Sequence, residues 1–236
     1  MKIKILLFVA AVLMGTSLYS QSTLEKPLRL SLIARPQLSW LKSDYKNVET
    51  DGLKMGLAFG LNLDYYFQEN YAFSTGIFIN NTGGKLNYLD SVTFIHENTA
   101  EGFDKNTHVE YKLRYIEIPF ALKLKTAEIG YFTYFGQIGL NTFYNIGAVG
   151  DISNPNKFIE KENISDEVNF FSLGYSIGGG LEYSLGTNMS LSASLIFTNG
   201  FLDLTTNIDE KAEGYEKREE DKTILNTISF QIGVLF

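Results

Sequence analysis

The sequence predicts an all-β chain: an eight-stranded antiparallel up-and-down transmembrane β-barrel with short periplasmic turns and long extracellular loops. Three observations predict it. Period-2 alternation recurs in about eight segments, each at least as long as a tilted membrane strand needs. The connections between them run long, short, long, short, long, short, long, as they must when one rim is trimmed and the other elaborated. The charges sit in the long connections, whereas the strand faces are apolar on one side and Gly, Ser, Asn, Thr or Gln on the other.

The first residues, MKIKILLFVAAVLMGTSLYSQS, carry Lys2 and Lys4, an apolar run from Ile5 to Met14, then small and polar residues. This is the three-part pattern of a secretory signal peptide. Cleavage is expected after Ser20, with Ser22 as the alternative, which leaves residues 21–236 as the barrel domain. The apolar run is too short to span a bilayer comfortably, for which about 20 apolar residues are needed. With no later run of that kind, a membrane-spanning chain has only the barrel open to it. The chain has no Cys, which excludes a disulfide framework and thiol chemistry. Its net charge of -7 argues against nucleic acid as a partner.

From Leu28 to Leu41, Leu28, Leu30, Leu32, Ala34, Pro36, Leu38 and Trp40 share one face, opposite Arg29, Ser31, Ile33, Arg35, Gln37 and Ser39. Met55 to Phe67 sets Met55, Leu57, Phe59, Leu61, Leu63 and Tyr65 against Gly56, Ala58, Gly60, Asn62 and Asp64. After the turn Gln68-Glu69-Asn70, the next strand carries Tyr71, Phe73, Thr75, Ile77 and Ile79. Alternation is then lost from Asn81 to Glu110, which reads as a long polar loop. It returns between Tyr111 and Lys125, where Ile116, Ile118, Phe120, Leu122 and Leu124 oppose Tyr115, Glu117, Pro119, Ala121 and Lys123. Tyr131 to Asn145 follows a short turn, and Ile146 to Val168 reads as another polar loop. Asn169 to Ser184 places Glu182 on a Gly- and Ser-rich face, and Met189 to Thr198 is the strand after a short turn. A charged run, Asp209 to Lys222, precedes the terminal strand Thr223 to Phe236.

A secreted soluble lipocalin-like binding barrel would show the same alternation. Such a barrel turns its polar face to water and carries Lys, Glu and Asp along every strand, which this chain does not. The small and polar faces are therefore expected inside. That makes Arg29, Arg35, Asp64, Glu117, Lys123 and Glu182 a lumenal charge cluster, with Arg35 and Glu117 near mid-height and coupled directly or through Tyr115. An eight-stranded barrel has an interior that side chains fill, so these charges are expected to pair as a plug; the alternative is an ion or proton path.

The stretch Tyr115-Ile116-Glu117-Ile118-Pro119-Phe120-Ala121-Leu122-Lys123 resembles the fourth-strand motif of the small outer-membrane β-barrel proteins of Bacteroidetes, the porin-family or PorT-like barrels. The signal peptide, the loop rhythm and the terminal Phe236 match too, so the resemblance covers essentially the whole mature chain. It implies residence in the outer membrane among lipid and lipopolysaccharide. It also implies that Phe230, Ile232, Val234 and Phe236 form an assembly signal for the barrel-insertion machinery. It assigns no reaction, ligand or cofactor.

In the long loops, Glu97, Glu101, Asp104, Glu162, Asp166, Glu167, Glu216, Glu219, Glu220 and Asp221 make an acidic surface. It is expected to be solvated, or to meet a protein partner or cations bridging to lipopolysaccharide. No spacing matches a calcium loop. The histidines, His96 and His108, both lie in the second long loop, and no nucleophile, base and acid set is visible on a strand face. The expectation is a non-enzymatic barrel with a plugged polar lumen and acidic loops, or else a narrow porin-like channel for ions or small solutes.

Overall fold

The computed structural model describes residues 27–96, 99–155, 157–186, 189–205 and 222–236, of which 92–96 and 99–101 are described by their backbone alone. The signal peptide, residues 1–20, and most of the charged run before the last strand lie outside the described residues. Twelve strands are described: β1 Leu28–Ser43, β2 Val48–Gly52, β3 Lys54–Gln68, β4 Tyr71–Tyr88, β5 Val92–His96, β6 Thr99–Phe103, β7 Thr107–Lys125, β8 Phe132–Asn154, β9 Lys157–Asn163, β10 Phe171–Ser184, β11 Ser190–Gly200 and β12 Thr223–Leu235.

Eight of them close a ring. The order is β1, β3, β4, β7, β8, β10, β11, β12 and back to β1, every pair antiparallel. Closure is carried to the last residue: Leu30 donates its N–H to the Phe236 carbonyl at 3.1 Å, and Phe236 donates back to Leu30 at 2.9 Å. A closed ring leaves no strand edge unpaired, which the hydrocarbon of a bilayer demands.

The faces are divided as the alternation predicts. On β1, Ser31, Ile33, Arg35, Gln37 and Ser39 are buried inside, while Leu28, Leu30, Leu32 and Leu38 are exposed outside. The outward row continues around the ring with Leu57, Ile77, Phe120, Ile138, Ile177, Leu195 and Ile232, all exposed. Apolar side chains left bare on every wall strand exceed what a soluble monomer tolerates. They match the lipid-facing band of a membrane barrel, and the soluble-barrel reading fails on them.

The two long polar loops need correction. β4 runs on to Tyr88, β7 starts at Thr107 and β8 continues to Asn154, with β2 paired to β4 and β9 to β8. The wall therefore stands well beyond the apolar band on this side. Inside it lies a core of Leu41, Val48, Leu86, Tyr88, Val109, Tyr111, Leu113, Tyr115, Phe143, Ile152, Ile164 and Leu204. The extracellular half of the interior is filled with apolar and aromatic side chains, not polar ones.

Candidate functional site in the barrel interior

Below this apolar layer the inward faces carry two ionic layers. The first is at mid-height. Arg35 of β1 donates through Nη2 to Glu117 Oε2 of β7 at 2.5 Å. Only 4% of Arg35 and 1% of Glu117 is exposed, so water does little of their solvation. The protein supplies it instead. Asn80 Nδ2 donates to Glu117 Oε2 at 2.6 Å and Asn141 Nδ2 to Oε1 at 2.7 Å. Asn80 accepts in turn from Gln37 at 2.6 Å, and Asn141 accepts from Ser176 at 2.7 Å. The carboxylate thus heads a chain of hydrogen bonds across β1, β4, β7, β8 and β10, each bond orienting the next.

Small residues make the crossing possible. Arg35 lies opposite Ala58 on β3, and its guanidinium sits over the Phe78 ring at 4.8 Å, a cation–π contact. Gly60 admits that ring: a Cβ there would lie 2.7 Å from the Phe78 Cα and 2.9 Å from its Cδ1.

The second layer lies towards the periplasmic rim and is centred on Glu182 of β10. Arg29 reaches it at 2.9 Å, Lys123 at 2.7 Å and Lys125 at 2.7 Å. Lys123 also meets Asp64 of β3 at 2.8 Å, passing the short Ala72 that faces it on β4. Asp64 accepts from Ser74 at 2.6 Å and Asn62 at 2.8 Å. Lys123 lies over the Phe135 ring at 4.4 Å. With four cations against three carboxylates, the two layers are nearly neutral in sum.

Two cavities flank the mid-height layer, and Arg35 lines both. The outer one is about 20 Å³, bounded also by Glu117, Tyr115 and Phe143, and the inner about 30 Å³, bounded by Asp64, Lys123 and Asn141. Each has room for about one or two waters.

Six of the seven lumenal candidates from the sequence, Arg29, Arg35, Asp64, Glu117, Lys123 and Glu182, fall into these layers. Tyr115 does not. Arg35 and Glu117 meet without it, and its ring packs edge-on against Phe143 at 5.9 Å as part of the apolar layer. Lys125 was missed, although it stands two residues beyond Lys123 and so on the same face. The amides Asn80 and Asn141 were missed as well, because an Asn on a small and polar face carries no mark that separates a ligand of a carboxylate from filler.

On the extracellular side, Asp104 and Asp166 are exposed and Glu162 is half-buried, while Glu167 is buried at 4% and does not belong to a solvated surface. Glu97 and residues 216–221 lie outside the described residues, as do the side chains of Glu101 and His96. His108 pairs with Asp51 at 2.7 Å on the outer surface. On the extended wall, the hydrogen bond from Lys54 holds the Glu110 carboxyl below its usual range, and the hydrogen bond to Asp151 raises the Lys112 ammonium.

A model of the outer membrane protein beta-barrel domain matches residues 20–156, more than half of the chain. The chain belongs to that family. It is an outer-membrane β-barrel, and the exposed apolar band is the surface that meets lipid. Solved structures with a similar fold include Neisserial surface protein A (NspA), at 10% identity over 89% of this chain and 96% of that one with a TM-score of 0.49. OprG from Pseudomonas aeruginosa is 12% identical over 88% and 95%, with a TM-score of 0.44. The outer membrane protease OmpT from Escherichia coli is 9% identical over 92% and 99%, with a TM-score of 0.44. No curated protein sequence matches the chain. The expectation of a non-enzyme is corrected by this comparison: a protease stands among the structures of similar fold, so the barrel architecture does not exclude catalysis.

Proposed function

We propose that this outer-membrane barrel acts through its extracellular wall and loops, with an interior that is plugged and not an open pore. The reading is carried by the mid-height layer: an almost fully buried ion pair, bracketed by amides, with cavities of only about 20 and 30 Å³ on its two sides. The apolar layer above it supports the same reading. The wall and the acidic loop residues, Asp104 and Asp166 among them, are then the surface offered to a protein partner. The YIEIPFALK strand, 115–123, further suggests a place among the small PorT-like barrels of Bacteroidetes.

The competing reading is a narrow channel for ions or small solutes, favoured by the meeting of the two cavities at Arg35. Planar-bilayer recording separates them. The purified protein is expected to insert without discrete conductance steps. Stable, reproducible single-channel steps would place the channel reading first.

The terminal strand is proposed to carry the assembly signal, in the outward residues Phe230, Ile232, Val234 and Phe236. Support comes from the alternation and from Phe236, which is 54% exposed while its backbone closes the ring. Deleting Phe236 is expected to lower the yield of heat-modifiable, assembled barrel far more than Phe59→Ala, a lipid-facing position of similar exposure at 49%. Equal yields from the two variants would reduce Phe236 to an ordinary lipid-facing residue.

A further inference from the structure

On the outer face of β7 the residues read, from the periplasmic end, Leu124, Leu122, Phe120, Ile118, Ile116, Arg114, Lys112, Glu110. On the adjacent β4 they read Phe73, Thr75, Ile77, Ile79, Asn81, Gly83, Lys85. The strands are in register, with Ile79 opposite Ile116, Asn81 opposite Arg114, Gly83 opposite Lys112 and Lys85 opposite Glu110. The apolar band therefore ends at one residue pair, and the next outward charges on both strands are cations. Successive outward residues are about 7 Å apart along a strand. Arg114 thus stands at the depth where the hydrocarbon gives way to lipid headgroups.

The local charge is positive in a chain of net charge -7. Lys54 and Lys85 both reach Glu110, at 2.5 and 3.3 Å, and Lys112 pairs with Asp151. Lys54 arrives across Gly83, whose φ of +149° suits glycine and whose missing Cβ would stand 2.9 Å from the Lys54 Cδ. Four cations thus face two paired carboxylates, with Glu160 acting on Lys112 from further off. Arg114 is different. It is exposed, its Nε donates to Asn81 Oδ1 at 3.0 Å, and among the described residues it has no carboxylate partner. That bond orients the guanidinium while leaving its Nη groups to a ligand. A fixed guanidinium fork matches the geometry of phosphate oxygens.

We infer that Arg114, with Lys112 beside it, binds the phosphate of a phosphorylated outer-leaflet lipid of the lipopolysaccharide type, whose acyl chains lie along Ile116, Ile79 and Phe120. The site rests on the membrane placement of the barrel and is independent of whether the lumen conducts. Continuity with the lipid-facing band selects a lipid as occupant over a soluble anion.

The experiment is native mass spectrometry of the detergent-purified full-length protein titrated with diphosphoryl lipid A. Wild type is expected to retain the lipid, and the R114Q/K112Q variant to bind it about tenfold more weakly or worse, given the attraction of each basic residue to an anionic membrane surface. Fully dephosphorylated lipid A is expected not to distinguish the two proteins. Lys42→Gln removes one cation from the outer face of β1 and is expected to leave binding unchanged. Unboiled gel mobility checks that each variant is a closed barrel. Equal retention by wild type and R114Q/K112Q would overturn the site. So would an equal loss in Lys42→Gln, which would reduce it to diffuse charge. Displacement of the lipid by inorganic phosphate at equal concentration would also overturn it, in favour of a small-anion site.

Discussion

Replacing Glu182 by Gln is expected to be the most destabilising single removal of charge in the barrel. Its carboxylate is shared by Arg29, Lys123 and Lys125. The carboxamide keeps the shape and removes the charge, and among the described residues Asp64 is then the one carboxylate left in that layer to face three cations. Removing one partner of a buried ionic group typically costs about 3–5 kcal/mol, because what remains is an uncompensated buried charge. The converse change is expected to cost less because, although Asp64 loses its ion-pair partner, two cations are left against two carboxylates and the layer stays balanced. In Lys123→Met, Asp64 keeps Ser74 and Asn62, and Glu182 keeps Arg29 and Lys125. Urea unfolding from lipid vesicles measures both. Glu182→Gln should lose clearly more than Lys123→Met. A loss within about 1 kcal/mol for Glu182→Gln, the scale of a solvent-screened pair, would mean that water reaches this rim.

The ring and its faces were legible because a bilayer imposes one polarity on every wall strand. Residues such as Leu57, Phe59 and Leu61 alternating with Ala58, Gly60 and Asn62 have a single stable assignment, apolar to lipid. Beyond the bilayer the same wall faces water, and the polarity inverts. Val109, Tyr111, Leu113 and Tyr115 point inward while His108, Glu110, Lys112 and Arg114 point outward. The period of two is intact there, but a template that expects apolar residues outside reads it as loop. The same inversion hid the ends of β4, with Leu86 and Tyr88 inside, and of β8, with Ala148 and Ile152 inside. Parity therefore assigns the charged residues of the ionic layers to the inward face and gives no sign of the apolar layer above them.

Partner choice within the layers is a different matter. Arg29 lies opposite Asp64 in the β1–β3 register, yet its guanidinium reaches past β12 and β11 to Glu182 of β10. Lys123 spans β4 to reach Asp64. Long side chains in a narrow lumen select partners across several strands, and strand register does not encode that reach. Only the closed geometry does.

The directly paired Arg35 and Glu117 are proposed to close the interior at mid-height. A double-mutant cycle of Arg35→Met, Glu117→Gln and the double variant, followed by unfolding from lipid vesicles, tests it most directly. In Arg35→Met, Glu117 keeps the Asn80 and Asn141 amides but loses the one cation that pairs with it among the described residues. In Glu117→Gln, Arg35 is left over the Phe78 face without a carboxylate. Each single change is expected to cost about 3–5 kcal/mol, and the double much less than their sum, since it leaves no lone buried charge. Additive losses would contradict a coupled pair and a closed interior. The two charges would then be independently solvated, and the lumen would be wet at the level where it is claimed to be closed.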